Sequence, residues 1–296
     1  MVDAFTVHAF TREGVGGNPA GVVLDAEGLD DSAMQAIATE LGMSETAFVL
    51  PSQSCDLRLR FFAPSAEVRL CGHATVAGWH LLLEKGRVGA GDYTMETLAG
   101  PQSISCSGEG LVTMSQNLPE FGATVPLAQV AQVLGLQRAD LVPSEQMPVQ
   151  IASTGLHKIF APVRSLEAIR RIAPDLTAIE ELSRSFGAIG IYCFTRETLR
   201  GATAHCRNFA PVVGIREDSA TGTSAAATAC LLVHHGLVPA ESTTHLSFEQ
   251  GDAIDQPSEI LVRLELDGSD FRGVFVSGRA RTTRVDPIEP TGLELL

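Results

Sequence analysis

The 296-residue sequence is poor in aromatic side chains, with one Trp and two Tyr, and poor in positive charge, with 21 Lys and Arg against 35 Asp and Glu. The resulting formal net charge of −14 argues against non-specific binding to nucleic acid or to an anionic membrane surface, both of which need clustered cations. An anionic small molecule is still an allowed partner, provided its site supplies local positive potential. No apolar run approaches the ~20 residues of a membrane span. The opening, Met1-Val-Asp-Ala-Phe-Thr-Val-His-Ala-Phe10, has no basic leader ahead of an apolar stretch, so neither a signal peptide nor a membrane partner is expected. The six cysteines (Cys55, Cys71, Cys106, Cys193, Cys206, Cys230) form no C-x-x-C pair. Reduced thiols in a cytoplasm are the expectation, and without zinc-type Cys/His spacing no metal is expected. Trp79 falls inside a predicted helix, which leaves no aromatic platform to suggest a ring-shaped ligand.

What is present is an ordinary globular composition, 45% apolar and 19% charged, at a length that at about 150 residues per domain gives two domains. Val2–Phe10 alternates apolar and polar residues, Gly14–Pro19 breaks the pattern and Ala20–Leu24 resumes it, as strand, turn and strand. Asp30 and Asp31 can cap a helix over Ala33–Leu41 that Gly42 stops. Thr46–Leu50, Asp56–Phe62, Gly110–Ser115, Gly187–Phe194 and Glu259–Leu266 read as strands, and Leu127–Leu134 and Ala178–Ser185 as short helices. Many short strands with few helices give an α+β protein rather than βαβ alternation. Asn117–Pro126 is the best candidate for a domain crossing.

One unit occurs twice. Gly72-His-Ala-Thr-Val-Ala-Gly-Trp-His-Leu-Leu-Leu-Glu-Lys-Gly86-Arg-Val88 lies over Gly222-Thr-Ser-Ala-Ala-Ala-Thr-Ala-Cys-Leu-Leu-Val-His-His-Gly236-Leu-Val238 at an offset of 150 (222 − 72). Glu67 falls on Glu217 at the same offset, and Arg60-Phe-Phe-Ala-Pro64 matches Arg207-Asn-Phe-Ala-Pro211 at 147 (207 − 60). An internal duplication is the reading. It gives an N-terminal lobe over 1–118 with a central helix at 73–85 and a C-terminal lobe over 119–296 with a central helix at 222–235. The tail 283–296 packs on the other lobe, on a partner, or frays. Both helices are apolar nearly all round and belong inside their lobes, so each half is expected to be a curled, mostly antiparallel, barrel-like sheet around a buried helix.

Each of these helices opens on a glycine. A helix N-terminus offers backbone N–H groups and the positive end of its dipole, and glycine lets a ligand come close. If the halves face each other, Gly72-His73 and Gly222-Thr223 point into one cleft and make a site for a carboxylate or a developing oxyanion. Alternatively, Gly72 and Gly222 only permit tight packing. His73 can donate to an anion or exchange protons near neutral pH. A Cys71/His73 nucleophile is disfavoured, because residues two apart at a helix start seldom point at each other. A two-thiol racemase is disfavoured because Thr221 stands where the second Cys would. Glu45, Glu217 and Asp218 are the candidate carboxylate bases, and spacing alone does not choose among them.

Asn18-Pro-Ala-Gly21, Ser44-Glu-Thr-Ala47, Phe62-Ala-Pro64, Leu70-Cys-Gly-His-Ala-Thr75 and Glu217-Asp-Ser-Ala-Thr-Gly222, in this order and spacing, resemble the phenazine-biosynthesis PhzF-like family of isomerases and epimerases, from Val2 to near Gly278. The resemblance implies the fold of diaminopimelate epimerase, two similar lobes with the active site between them. It places the family's catalytic glutamate on Glu45, its histidine on His73, its aspartate on Asp218 and its hydroxyl residue, usually Ser, on Thr223. Asn18 lines the implied cleft, while Gly72, Gly222 and Thr223 hold the substrate. The implied reaction is a double-bond shift on a small carboxylated metabolite by a homodimer needing neither cofactor nor metal. An epimerase using Cys71 with another base and a non-catalytic binding member are the alternatives.

Overall fold

The computed structural model describes residues 1–289, which divide into two units, Met1–Ser115 with the C-terminal segment from Ser277, and Gln116–Val276. The expected boundary near 118 lies close to the first crossing. The C-terminal assignment differs, because the segment after 276 belongs to the first unit.

In the first unit the strands are β1 (Val2–Ala9), β2 (Asn18–Val23), β3 (Thr46–Leu50), β4 (Leu57–Ala63), β5 (Ala66–Val68), β6 (Gly91–Glu96), β7 (Gln102–Cys106) and β8 (Val112–Ser115). Its helices are α1 (Asp31–Leu41) between β2 and β3, and α2 (Gly72–Glu84) between β5 and β6. β1–β2, β3–β4, β4–β5, β6–β7 and β7–β8 are antiparallel, whereas β2–β3 and β4–β6, the two pairs joined through helices, are parallel. That is the connection a parallel pair requires. α1 forms as its caps dictate: Asp30 accepts from the Ala33 N–H, and Gly42 closes the helix at φ +61°.

The second unit contains β9 (Glu120–Thr124), β10 (Gln150–Ser153), β11 (Lys158–Pro162), β12 (Ile191–Thr195), β13 (Ala204–Ala210), β14 (Ile215–Asp218), β15 (Thr243–Gln250), β16 (Ser258–Asp267) and β17 (Asp270–Gly278), whose last residues lead out of it. Its helices are α3 (Leu127–Val133), α4 (Leu166–Arg171), α5 (Leu176–Ser185) and α6 (Gly222–His234). The pairing directions repeat those of the first unit. β11–β12 is parallel across helices, β12–β13 and β13–β14 are antiparallel, and β13–β15 is parallel across α6. β9 occupies the stretch expected to be a linker, and pairs antiparallel with β10.

β18 (Ala280–Ile288) then joins β1 antiparallel, Val2 opposite Ile288 and Ala9 opposite Ala280. The part of the tail over 283–288 is therefore a strand of the first unit, and residues 290–296 lie outside the described residues. α2 touches β1, β2, β3, β8 and β18. Strands from both ends of that sheet thus reach one helix, so the sheet curls around it. Val76, Ala77, Trp79 and Leu81 of α2 are wholly buried, as are Ala225, Ala226, Ala229 and Leu232 of α6. This is the burial expected of helices apolar on every side.

The repeat extends to side-chain contacts. Arg60 makes a two-pronged ion pair to Glu67 (2.7 and 2.8 Å) and lies 5.0 Å over the Phe62 ring. Arg207 makes the same pair to Glu217 (both 2.8 Å) and lies 5.0 Å over Phe209. Each clamp ties the first strand of a hairpin to the second, just ahead of the central helix.

Candidate active site

The two central helices differ from their capped neighbours. Asp30, Ser165 and Asp175 cap α1, α4 and α5 through side-chain oxygens. At α2 and α6 the N-cap residues are Cys71 and Thr221, both with extended backbone (φ −136° and −128°), and neither side chain accepts a hydrogen bond from the helix it begins. Positive potential at these two N-termini is not quenched by a capping oxygen of its own.

In the first unit β3 and α2 bring the predicted residues together. Glu45 immediately precedes β3, and its carbonyl accepts from the Gly21 N–H of β2 (3.0 Å), which fixes the backbone at the site. Its carboxylate reaches His73 Nε2 at 3.4 Å, with side-chain exposures of 18% and 11%, so the pair is sheltered but still partly accessible. Ser44 Oγ lies 3.2 Å from the same nitrogen. Asn18 is buried at the start of β2. A Cβ built on Gly72 would meet nothing nearer than Met114 Sδ at 3.8 Å, an ordinary contact. Tight packing therefore does not explain this glycine.

The expectation that Cys71 and His73 would not face each other is overturned. Cys71 Sγ lies 3.3 Å from His73 Nδ1. The helical spacing rule fails here because Cys71 is the N-cap, with extended rather than helical backbone. Its side chain folds back over the first turn. Sulfur, imidazole and carboxylate thus form a close cluster, the sulfur nearest Nδ1 and the carboxylate nearest Nε2.

In the second unit Asp218 ends β14 and accepts from Thr221 Oγ1 at 2.5 Å. Gln250 locks this corner: its Nε2 donates to the Asp218 carbonyl (2.8 Å) and to Thr221 Oγ1 (3.2 Å), and its Oε1 accepts from the Thr221 N–H and from Tyr192. Gly222 begins α6. Thr223 turns its methyl toward Gly155, 3.4 Å from where a Cβ would stand there, and its carbonyl accepts from Thr154 Oγ1. The extra methyl relative to serine is accommodated by that glycine. Glu217, by contrast, is committed to Arg207, which leaves Glu45 and Asp218 as the candidate carboxylates.

Sequence reading missed Lys158. It is fully buried on β11 and donates to Asn208 Oδ1 at 2.7 Å. Burial pushes its ammonium down to about 8, with the Asp218 charge partly opposing the shift. The available signal was a lysine inside an apolar strand, Lys158-Ile-Phe-Ala-Pro162.

The family model described as Phenazine biosynthesis-like protein matches residues 7–285. An isomerase of Deinococcus radiodurans, itself named uncharacterized, is 36% identical over 286 residues, covering 94% of this chain and 92% of that protein. The trans-2,3-dihydro-3-hydroxyanthranilate isomerase of Pseudomonas aeruginosa is 30% identical over 285 residues, covering 92% and 94%. The crystal structure of a PhzF-family phenazine biosynthesis protein from Bacillus anthracis superposes with a TM-score of 0.90 at 29% identity, over 97% of this chain and 99% of that one. The duplicated glycine-headed helices, the Ser44–Glu45 and Gly72–His73 pairing and these likenesses agree, and the chain belongs to the PhzF family of phenazine biosynthesis-like proteins.

Proposed function

We propose that this isomerase relocates a proton, and with it a double bond, on a small carboxylated metabolite, with Glu45 as the general acid/base. The observation that carries the reading is the Glu45 carboxylate 3.4 Å from His73 Nε2 at the start of an α-helix without a capping side chain. Glu45 takes the proton from a carbon beside a conjugated system, onto a carboxylate oxygen, and returns it at another carbon. His73 orients the carboxylate and hydrogen-bonds the substrate. The family resemblance implies that backbone N–H groups at Gly72 and at Gly222–Thr223 stabilise the substrate carboxylate and the delocalised anion, where charge builds up during transfer. Asp218, set by Thr221 and Gln250, contacts polar groups of the substrate. The resemblance also supports a homodimer whose catalysis uses neither metal nor cofactor, and the six cysteines, none of them in a C-x-x-C pair, support a reducing cytoplasm; sedimentation of the pure protein tests the dimer.

The test is solvent deuterium incorporation. A panel of unsaturated and cyclic carboxylates, including the substrate of the Pseudomonas relative, is incubated in heavy water and followed by NMR. Incorporation at a new carbon with a shifted double bond is expected, and Glu45→Gln should lower the rate by ~100-fold or more while retaining binding. Full exchange in that variant removes Glu45 from the mechanism. A second reading, epimerisation with Cys71 as a partner base, is favoured by the 3.3 Å Cys71–His73 contact. It gives deuterium at an inverted stereocentre with no migration of the double bond.

A further inference from the structure

Glu45, Cys71 and His73 present three kinds of donor atom, a carboxylate oxygen, a sulfur and an imidazole nitrogen, all within 4.8 Å of one another. We propose that they form a site for a thiophilic divalent cation of the zinc class, and that its occupancy switches off proton transfer. The switch rests on the reading of Glu45 as the base; the binding does not.

The geometry carries the binding. Zinc bonds of about 2.0–2.3 Å to nitrogen, oxygen and sulfur set tetrahedral donor separations of about 3.3–3.6 Å. His73 Nε2 already stands 3.4 Å from Glu45 Oε2 and 4.0 Å from Cys71 Sγ. The carboxylate therefore fits without movement, whereas Cys71 Sγ, which faces Nδ1 at 3.3 Å, must change rotamer to swing toward Nε2 and complete the set. The set comes from two segments, residue 45 and residues 71–73, which is why no metal-type spacing shows in the sequence.

The donor chemistry selects the ion. Magnesium and calcium take oxygen ligands, whereas mixed N, S and O donors with one open position suit zinc and its neighbours. Carboxylate and thiolate together balance two positive charges, which offsets repulsion from the helix N-terminus. Binding releases the thiol proton to solvent as the metal–sulfur bond forms. It also occupies the Glu45 lone pair that would accept the substrate proton. The other thiols compete poorly: burial pushes Cys106 up to about 11 and Cys206 and Cys230 up to about 12, and Cys193 higher still. Cys55 is only partly buried and serves as the control.

Cobalt titration of the purified full chain tests the site. One equivalent of Co²⁺ should produce a thiolate-to-cobalt charge-transfer band in the near ultraviolet, displaced by Zn²⁺. The band should vanish in Cys71→Ser, persist in Cys55→Ser, and need roughly tenfold more Co²⁺ in Glu45→Gln. As a readout on the unmodified chain, one equivalent of Zn²⁺ should protect Cys71, but not Cys55, from iodoacetamide. Absence of the band, or its survival in Cys71→Ser, overturns the site. A band accompanied by full deuterium exchange in Glu45→Gln upholds the site and overturns the reading of Glu45 as the base. No band alongside a dead Glu45→Gln overturns the metal site alone.

Discussion

Gly72→Ala separates packing from ligand approach, because the two roles predict opposite signs. Gly72 is the first residue of α2, and an added Cβ makes only the 3.8 Å contact with Met114. Alanine there restricts the unfolded chain and suits the helix, so stability should rise by about 0.4–1 kcal/mol. On the proposed function, the same methyl would crowd a carboxylate approaching the N–H groups at the start of α2. Losing one hydrogen bond to a charged group costs about 1.5–3 kcal/mol, or roughly a 10- to 150-fold loss of affinity. Urea unfolding followed by Trp79 fluorescence reads the first unit alone, since Trp79 is the only tryptophan and is wholly buried there. Calorimetric titration with whichever carboxylate exchanges deuterium reads the site. Gly21→Ala calibrates the same unit: its Cβ would stand 2.5 Å from Thr46 Oγ1 and 2.9 Å from Leu41 Cδ1, an overpacking that should cost about 1–3 kcal/mol. If Gly72→Ala destabilises as Gly21→Ala does, Gly72 is a packing residue. If it is stable and binds normally, the backbone at Gly72 takes no part in recognition.

Two further outcomes are expected. Arg207→Ala should cost about 3–5 kcal/mol, the usual penalty for breaking a buried pair, because it orphans Glu217 and also removes donors from the Ile169 and Ile172 carbonyls at the end of α4; chemical denaturation read by circular dichroism measures it, and a loss under 1 kcal/mol would show the clamp to be ornamental. Lys158, held near 8 in the fold against 10.5 unfolded, binds fewer protons folded than unfolded between those values. Stability relative to Lys158→Met should therefore rise with pH across that window, by up to about 3 kcal/mol. A flat difference between wild type and Lys158→Met would show that Lys158 is not desolvated.

Local signals read well from the sequence. Asp30 and Gly42 bracket α1 because caps act within one turn, and the repeat is legible because a wholly buried helix needs apolar residues all round. Other features depend on partners distant in the chain. Nothing near residues 280–288 says that they lie against residues 2–9, since strand pairing is settled by tertiary contact. β9 hides in a stretch whose prolines and glycine read as a linker. The Cys71–His73–Glu45 cluster was invisible for a related reason: it depends on one extended residue at a helix boundary and on a side chain 26 positions earlier (71 − 45). The choice among Glu45, Glu217 and Asp218 needed Arg207, whose role as the partner of Glu217 is a matter of hairpin register.

The pairing of β18 with β1 bears on vectorial synthesis. The ribosome releases β1 first, but the strand that covers its outer edge emerges only after residues 116–276 have been made. At about 5–20 residues per second, the chain between β1 and β18 leaves an open β-edge for roughly 15–55 s. The half of the molecule translated first is thus the half completed last, while the second half can close around α6 without waiting for the C-terminus. Nascent chains stalled before Ala280 should expose β1 to chaperones, and removal of the final strand should harm the N-terminal half, which carries Glu45, rather than the half to which it is joined.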